Sequence, residues 1–140
     1  MRVLGIDLGS RTVGMAISDF LGIIATPIGT TRINENSLQE ALECVKIVVK
    51  ERGVEKIVLG LPKNMDGTQG FQSQYSLDFK KMLEEELKLP VIMLDERLTT
   101  RMAHNTMLQA DMSRKKRKQN VDKIAATIIL QSYLDSLPKY

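Results

Sequence analysis

The order of predicted elements indicates an α/β fold with a mixed five-stranded sheet, in which three antiparallel strands precede two parallel strands and helices cover both faces. Three observations predict it. Extended segments fill the first third of the chain, the apolar spacing then changes to a helical period, and short buried strands afterwards alternate with helices. The chain has 140 residues, so we expect one domain over 1–140 with a substantial core.

The first third of the chain contains three candidate strands joined by short connections. They cover Arg2–Leu8, Val13–Asp19 and Ile23–Ile33, the last of which is interrupted by a proline and a glycine. A glycine-containing turn over residues 9–12 joins the first two strands. Short connections reverse the chain between neighbouring strands, so these three are predicted to pair in antiparallel fashion.

The rest of the chain alternates between helical and strand patterns. Apolar residues recur at helical spacing from Leu38 to Val49, with Asn36 or Ser37 as the N-cap and Gly53 as the stop. The later predicted elements are a strand at Lys56–Leu61, a polar segment at Pro62–Gly70, a helix at Phe71–Leu87, a strand at Pro90–Asp95, a helix at Thr99–Ala110, a basic loop at Arg114–Lys118 and a helix at Val121–Leu137. The two strands are near-continuous apolar runs, which are typical of buried parallel strands.

Composition excludes several classes of protein. No segment approaches the roughly 18 uninterrupted apolar residues that a membrane span requires, and an acid interrupts the apolar start of the chain, unlike a signal peptide. The single Cys44 excludes an intramolecular disulfide framework and a cysteine-based zinc site. We therefore expect a cytoplasmic protein without a membrane partner, and the sequence leaves monomer and dimer both open.

Positive charge is concentrated in one place. The net charge is only +3, but Arg114, Lys115, Lys116, Arg117 and Lys118 form an unbroken basic run, so the remainder of the chain is net negative. Concentrated positive charge favours phosphate binding, although such a run is also typical of a solvated loop. The charge pattern alone does not decide between these two interpretations.

Acids occur where strands are predicted to carry apolar residues. Asp7 lies in the first strand between Gly5 and Gly9, where a buried carboxylate needs a partner and the glycines leave room for a ligand. A turn-capping aspartate at the strand end is the alternative. Asp95 and Glu96 end the last strand, at the edge where open α/β sheets place their sites. Strand alternation sends these two acids to opposite faces, so we expect one of them to point into a site.

Asp122 is predicted to lie on the packing face of the last helix. Lys123, Thr127, Gln131 and Asp135 form a polar stripe at spacing i, i+4, and Asp122 points away from it. It instead shares a face with apolar residues, namely Ala125, Ala126, Ile129 and Tyr133. An N-cap role is one interpretation, since aspartate favours helix starts. An acid aimed at a packed face nevertheless favours a bound partner, and a metal ion would supply one.

Together these acids predict a metal-dependent phosphodiester chemistry. Magnesium prefers oxygen ligands and retains several waters, so a few carboxylates suffice to hold it. Two ions about 4 Å apart activate a water and stabilise the leaving oxygen of a phosphodiester. We therefore expect a nuclease with Mg²⁺ or Mn²⁺ as its cofactor, as two ions.

Four segments of the chain resemble a known bacterial family. They are GIDLGSRTVGMAISD (Gly5–Asp19), IVLGLPKNMDGTQG (Ile57–Gly70), LDERLTT (Leu94–Thr100) and VDKIAATIILQSYL (Val121–Leu134). In this order and spacing, over nearly the whole chain, they resemble the YqgF-like family of Holliday-junction-resolvase-like proteins and pre-16S ribosomal RNA nucleases. The resemblance implies a ribonuclease-H-like fold and a nuclease that matures the 5′ end of pre-16S rRNA, with ribosome-assembly partners.

The resemblance also assigns roles to individual residues. The acids of the family fall on Asp7, Glu96 and Asp122, which are thereby implied as catalytic and metal-binding residues. Asp95 is then a residue that would contact the metal ligands without binding the metal itself. By the same resemblance, the nucleic-acid contacts are Lys63, Arg97 and the run Arg114, Lys115, Lys116, Arg117 and Lys118. The glycine-rich segment 64–70 is implied to be a substrate-facing loop.

Three alternatives follow from the same residues. A Holliday-junction-type DNA resolvase would use the same chemistry on branched DNA. A non-catalytic nucleic-acid-binding module of the same fold would bind without cutting. An ATP-binding protein of the actin and sugar-kinase superfamily also begins with a GIDLG-like strand and turn, but such proteins close two domains around the nucleotide, and 140 residues hold only one.

Overall fold

The apolar runs of the sequence form strands that pair with one another in a single sheet. In the computed structural model, the described backbone covers residues 1–61, 71–95 and 114–137, with side chains described over 1–61, 74–94 and 125–137. The strands are β1 (Val3–Leu8), β2 (Thr12–Ser18), β3 (Ala25–Arg32), β4 (Lys56–Leu61) and β5 (Val91–Asp95). The helices are α1 (Leu38–Arg52), α2 (Phe71–Leu87) and α3 (Arg114–Ser136). The predicted helix Thr99–Ala110 lies outside the described residues.

The five strands form one mixed sheet in the order β3-β2-β1-β4-β5. β1 pairs antiparallel with β2, and β2 pairs antiparallel with β3. β4 lies parallel to β1 on its other side, and β5 lies parallel to β4. The predicted fold class, with three antiparallel strands followed by two parallel strands, is confirmed.

β3 is shorter than the predicted segment Ile23–Ile33, because Ile23 and Ile24 belong to the turn after β2. The strand lies at the edge of the sheet, where Pro27 costs no internal ladder hydrogen bond. Its pairing with β2 shifts register between Met15 and Ala16, which corresponds to a bulge. The proline and glycine in this segment are therefore features of an edge strand.

Alternation along the strands divides the core into two layers. The α1/α2-side cluster packs alternate residues of β1, β2 and β4 against α1 and α2, and it includes Leu4, Ile6, Val13, Ile57, Val45 and Phe79. The α3-side cluster lies on the other face and consists of Val3, Ala16, Val58, Ala126, Ile129, Leu130, Tyr133 and Leu134. Helices therefore cover both faces of the sheet, as predicted.

The ends of α1 follow the predicted capping signals. Of the two candidate N-caps, Ser37 is the one used, since its side-chain oxygen accepts from the amide of Glu40. Gly53 ends the helix with φ 63°, a left-handed conformation that glycine adopts without a steric penalty. The N-H of Gly53 donates to the carbonyl of Val49, which satisfies one of the last helical carbonyls.

The prediction of a basic loop before the last helix is wrong. α3 begins at Arg114, so the run Arg114–Lys118 forms its first turns. Lysine and arginine have good intrinsic helix propensity, and no glycine or proline interrupts 114–136. Positive charge at a helix start opposes the helix dipole, and the helix includes this run in spite of that opposition.

Candidate functional site

Asp7 is the buried carboxylate at the centre of the sheet. It lies near the carboxyl end of β1, the strand flanked by β2 and β4, and its exposed fraction is 7%. The residues that follow it lead into the β1–β2 turn, where the amide of Gly9 donates to the carbonyl of Thr12 at 2.8 Å. Asp7 is therefore held within the strand, and the turn-capping alternative does not describe its position.

Glycines surround Asp7 on its own face of the sheet. Gly5 precedes it by two positions on β1, and Gly14 is its direct partner on β2. Gly60 follows Leu59, the β4 partner of Ile6, and so comes alongside Asp7 in the parallel register. None of these three neighbours has a side chain that would cover the carboxylate from within the sheet.

The glycine at position 5 also lets α3 pack directly on β1. A Cβ atom at this position would lie 2.7 Å from Cβ of Leu130 and 3.0 Å from the carbonyl oxygen of Ala126. Both distances are shorter than ordinary van der Waals contact, so only glycine fits here without displacing the helix. Asp7 shares this face with Gly5, since residues two apart on a strand lie on one face.

α3 runs antiparallel to β1. Near the start of β1, Lys56, the β4 partner of Val3, donates to the hydroxyl of Tyr133 at 3.0 Å. Further along β1, Gly5 meets the helix at Leu130 and Ala126, which come earlier in α3. Moving toward the carboxyl end of β1 therefore moves toward the N-terminus of α3.

This direction brings the backbone position of Asp122 toward Asp7. Asp122 lies four residues before Ala126, a rise of about 6 Å along the helix. Asp7 lies two residues beyond Gly5, about 6.6 Å along the strand. Asp122 also lies well inside α3, which starts at Arg114, so the N-cap interpretation of this acid is wrong.

The predicted polar and apolar faces of α3 hold over its described side chains. Ala125, Ala126, Ile129 and Tyr133 are buried, as predicted, and the last three belong to the α3-side cluster against the sheet. In the polar stripe, the side-chain amide of Gln131 binds the β2–β3 connection: its oxygen accepts from the amide of Ala25 at 2.9 Å and its nitrogen donates to the carbonyl of Ile23 at 2.8 Å.

Most of the other predicted site residues lie outside the described side chains. Glu96, Lys63 and Arg97 lie outside the described residues, and so does the segment 64–70. The run Arg114–Lys118 is described only as helical backbone. Within the described side chains, no three histidine, cysteine, aspartate or glutamate residues come together as a metal site.

A second feature at the same end of the sheet was missed by the sequence analysis. A cleft of about 380 Å³ lies beside the β1–β2 turn, lined by Arg11, Thr12, Arg32, Ile33, Asn34 and Glu35. Arg11 and Glu35 form an exposed ion pair with 3.2 Å between nitrogen and oxygen. The sequence signal for this Arg11–Arg32 cleft is weak: one arginine precedes β2 and the other ends β3, 21 positions later, and only antiparallel pairing brings them to the same end of the sheet.

Comparison with known proteins identifies the family. The sequence profile described as "RuvX: Holliday junction resolvase" matches residues 1–136. The chain belongs to the RuvX family of Holliday junction resolvases. A curated RuvX relative from Clostridium novyi, named "Putative pre-16S rRNA nuclease", is 53% identical over 98% of this chain and 100% of its own length. A relative of the same name from Listeria monocytogenes is 52% identical over 97% of this chain and 99% of its own length.

Solved structures of low sequence identity share the fold. The fowlpox virus resolvase in complex with Holliday junction DNA has a TM-score of 0.62 at 17% identity, covering 99% of this chain and 100% of that one. Thermus thermophilus RuvC with a Holliday junction substrate has a TM-score of 0.58 at 14% identity, covering 96% of each chain. The ribonuclease-H-like fold is thereby confirmed.

Membership of the RuvX family establishes the class of activity. This protein is a nuclease, an enzyme that hydrolyses phosphodiester bonds, and its substrate is a nucleic acid. The resemblance predicted from the four sequence segments is confirmed. Over the described part of the chain, no helix is long and apolar enough to cross a membrane.

Proposed function

We propose that this nuclease matures the 5′ end of pre-16S rRNA and that Asp7, Glu96 and Asp122 hold its divalent metal ions. The observation that carries the proposal is the position of Asp7, a buried carboxylate on the α3-covered face with glycines around it. Curated relatives that are about half identical over nearly their full length are named for this RNA substrate, which supports RNA over DNA.

The donor set fits a magnesium or manganese site. A carboxylate buried at the end of a central strand is costly unless it is paired, and oxygen donors are the ligands that these ions prefer. Gly14 and Gly60 leave the flanks of Asp7 without side chains that would compete with a metal ion for its oxygens. When bound, two such ions would activate a water and stabilise the leaving oxygen of the phosphodiester.

Strand alternation supports Glu96 over Asp95 as the second ligand. Leu94 packs against the α3-side cluster, whereas Met93 packs against the α1/α2-side cluster. A period of two counted on from Leu94 along the sequence predicts the α3-covered face for position 96. This is the face on which Asp7 lies, so the pattern agrees with the assignment by family resemblance.

The remaining residues of the proposal act on the substrate. β1 fixes the Asp7 carboxylate in a rigid strand, which positions it without movement at the moment of reaction. Lys63, Arg97 and the first turns of α3, Arg114–Lys118, bind backbone phosphates and set the position of the strand to be cut. They supply affinity without base readout.

A Holliday junction is the second candidate substrate. The family description names junction resolution, and this favours DNA as an alternative. The same carboxylates would serve on either polymer, because both present a phosphodiester to the metal ions. Ribosome-assembly partners accompany the RNA assignment and have no role in the DNA assignment.

The decisive experiment compares two substrates under one set of conditions. Purified protein with Mg²⁺ or Mn²⁺ is given an RNA spanning the 5′ end of 16S rRNA and, separately, a four-way DNA junction. Asp7→Asn and Asp122→Asn are compared with Asp78→Asn and Asp135→Asn, matched changes at exposed positions of α2 and α3. Circular dichroism establishes that each variant is folded.

We expect metal-dependent cleavage of the RNA, retained by the two control variants and lost in the two site variants. Cleavage of the junction alone would replace the RNA assignment with DNA. Binding of nucleic acid without cleavage, unchanged by Asp7→Asn, would show a binding module. Full activity in both site variants would overturn the proposed metal site.

A further inference from the structure

The Arg11–Arg32 cleft lies at the same end of the sheet as Asp7 and on a connected surface. Thr12 pairs with Arg32 across β2 and β3, two positions beyond Gly14, the partner of Asp7. At about 6.6 Å for two residues and 4.8 Å between strands, the cleft is on the order of 10 Å from Asp7. That distance corresponds to about three nucleotide steps at a rise of 3.4 Å each.

The strand pattern places Arg32 on the face that carries Asp7. Val13 and Ile33 pack in the α1/α2-side cluster, so their neighbours Thr12 and Arg32 alternate to the opposite side. α3 covers this opposite side, and its first turns are the basic run Arg114–Lys118. The Arg32 side of the cleft therefore lies on the face that carries Asp7, at the end of the sheet toward which the N-terminus of α3 points.

The cleft is held in shape by backbone hydrogen bonds. The amide of Ile33 donates to the carbonyl of Arg11 at 2.9 Å, and the amide of Asn36 donates to the carbonyl of Ser10 at 2.6 Å. The side-chain carboxylate of Glu40 accepts from the amide of Asn34 at 3.1 Å. These bonds fix the segment after β3 against the β1–β2 turn, so a ligand would meet a preformed cleft.

The charges of the cleft suit a phosphate. Arg11 and Arg32 provide two guanidinium groups, and Glu35 provides one carboxylate. Arg11 forms an ion pair with Glu35 in which the two side chains are 71% and 60% exposed. Ion pairs this exposed stabilise a protein only weakly. Arg32 has no ion pair with any residue that the structure describes. The two non-bridging oxygens of a backbone phosphate make it a bidentate partner for a guanidinium group.

We propose that the Arg11–Arg32 cleft binds the backbone phosphates of the substrate strand a few nucleotides from the bond that is cut. The inference rests on the proposed function, because the nucleic acid it binds is the substrate of the Asp7 site. Glu35 acts as a charge that phosphate displaces from Arg11, so its removal strengthens binding. The cleft contributes affinity and register, and it reads no base sequence.

The test measures binding of labelled RNA and of a labelled four-way DNA junction by fluorescence anisotropy between 50 and 200 mM salt. An Asp7→Asn background prevents cleavage. Arg11→Gln and Arg32→Gln are compared with Arg52→Gln, an exposed arginine at the opposite end of the sheet. Each lost phosphate contact should lower the salt slope by about 0.7 to 0.9. The ratio of wild-type to variant affinity should accordingly shrink about threefold over this range.

Glu35→Gln should change the binding affinity in the opposite direction. It should tighten binding, whereas a merely structural role of the Arg11–Glu35 pair would weaken binding in both Arg11→Gln and Glu35→Gln. In the cleavage-competent protein, Arg32→Gln should raise KM with kcat unchanged, the signature of uniform binding.

The outcomes separate the two proposals. If the parent protein binds and cuts but the arginine variants match Arg52→Gln, the cleft is not a binding site and the proposed function stands. If the wild-type protein cuts neither substrate and the Asp7→Asn protein binds neither, the proposed function and this inference both fail.

Discussion

The close approach of α3 to β1 at Gly5 predicts how the protein responds when one methyl group is added at this position. In Gly5→Ala the new Cβ atom would lie 2.7 Å from Cβ of Leu130 and 3.0 Å from the backbone oxygen of Ala126. Ordinary carbon contacts are about 3.5–4.0 Å, so the helix must move away by about 1 Å. Neither contact atom can rotate aside, because one is a Cβ atom and the other belongs to the backbone.

Two effects should follow from this movement. Overpacking of this kind costs about 1–3 kcal/mol, which lowers the melting temperature by roughly 3 to 10 °C for a chain of this size. A displacement of about 1 Å between α3 and β1 also separates Asp122 from Asp7. Misplacement by this amount is enough to lower kcat on the order of 100-fold.

Val45→Ala provides the matched control for stability. Val45 is fully buried in α1 on the other face of the sheet, and its truncation costs about 2 kcal/mol without touching α3. Thermal unfolding and cleavage are measured for both variants well below their melting temperatures. If Gly5→Ala loses stability but cuts as fast as Val45→Ala, the packing of α3 on β1 does not position the site.

Three further predictions concern separate parts of the chain. Ser18→Ala should lower the free energy of unfolding by about 1–3 kcal/mol, because the buried amide of Val3 donates to the Ser18 hydroxyl at 2.8 Å and would lose its partner. Denaturant titration measures this change, and a value below about 0.5 kcal/mol would contradict the prediction. The backbone amide of Ile23 donates to the Asp19 carboxylate and lowers its pKa below the usual 3.8, so this group stabilises the fold above that pH and the contribution is lost as pH falls through the lowered value. Asp19→Asn should therefore show a shallower loss of melting temperature with acid than the wild type, and parallel acid profiles would refute the assignment. Neutralising Arg114–Lys118 should weaken nucleic-acid binding and flatten its salt dependence by about 0.7 to 0.9 per lost contact, whereas equal salt slopes would exclude phosphate binding by this run.

Much of the fold follows from local patterns in the sequence. The strands, α1 and α2 occur within a few residues of their predicted bounds, because period-two and helical spacings report which face of each element is buried. The caps of α1 at Ser37 and Gly53 were likewise readable, since they depend on side-chain and backbone chemistry within one turn.

The prediction failed where local signals conflicted. The basic run at Arg114–Lys118 has good helix propensity but opposes the helix dipole, and the sequence offers no measure of which effect prevails. The structure extends α3 through this run, and Asp122 becomes an interior helical residue. The two faces of β5 are likewise visible only in the packing, since Leu94 contacts the α3-side cluster and Met93 contacts the α1/α2-side cluster. The choice of Glu96 over Asp95 stays a prediction.

The sequence by itself determined the family and the class of fold, since these follow from short motifs and from the spacing of apolar residues within each element. It also predicted the acids Asp7, Glu96 and Asp122 for the site. Tertiary structure decided which distant positions meet. It brought Gly14 and Gly60 beside Asp7, seated α3 on Gly5, and joined Arg11 to Arg32 across a turn and a strand pair. Such contacts depend on strand register and helix direction, which arise only when both faces of the sheet are packed.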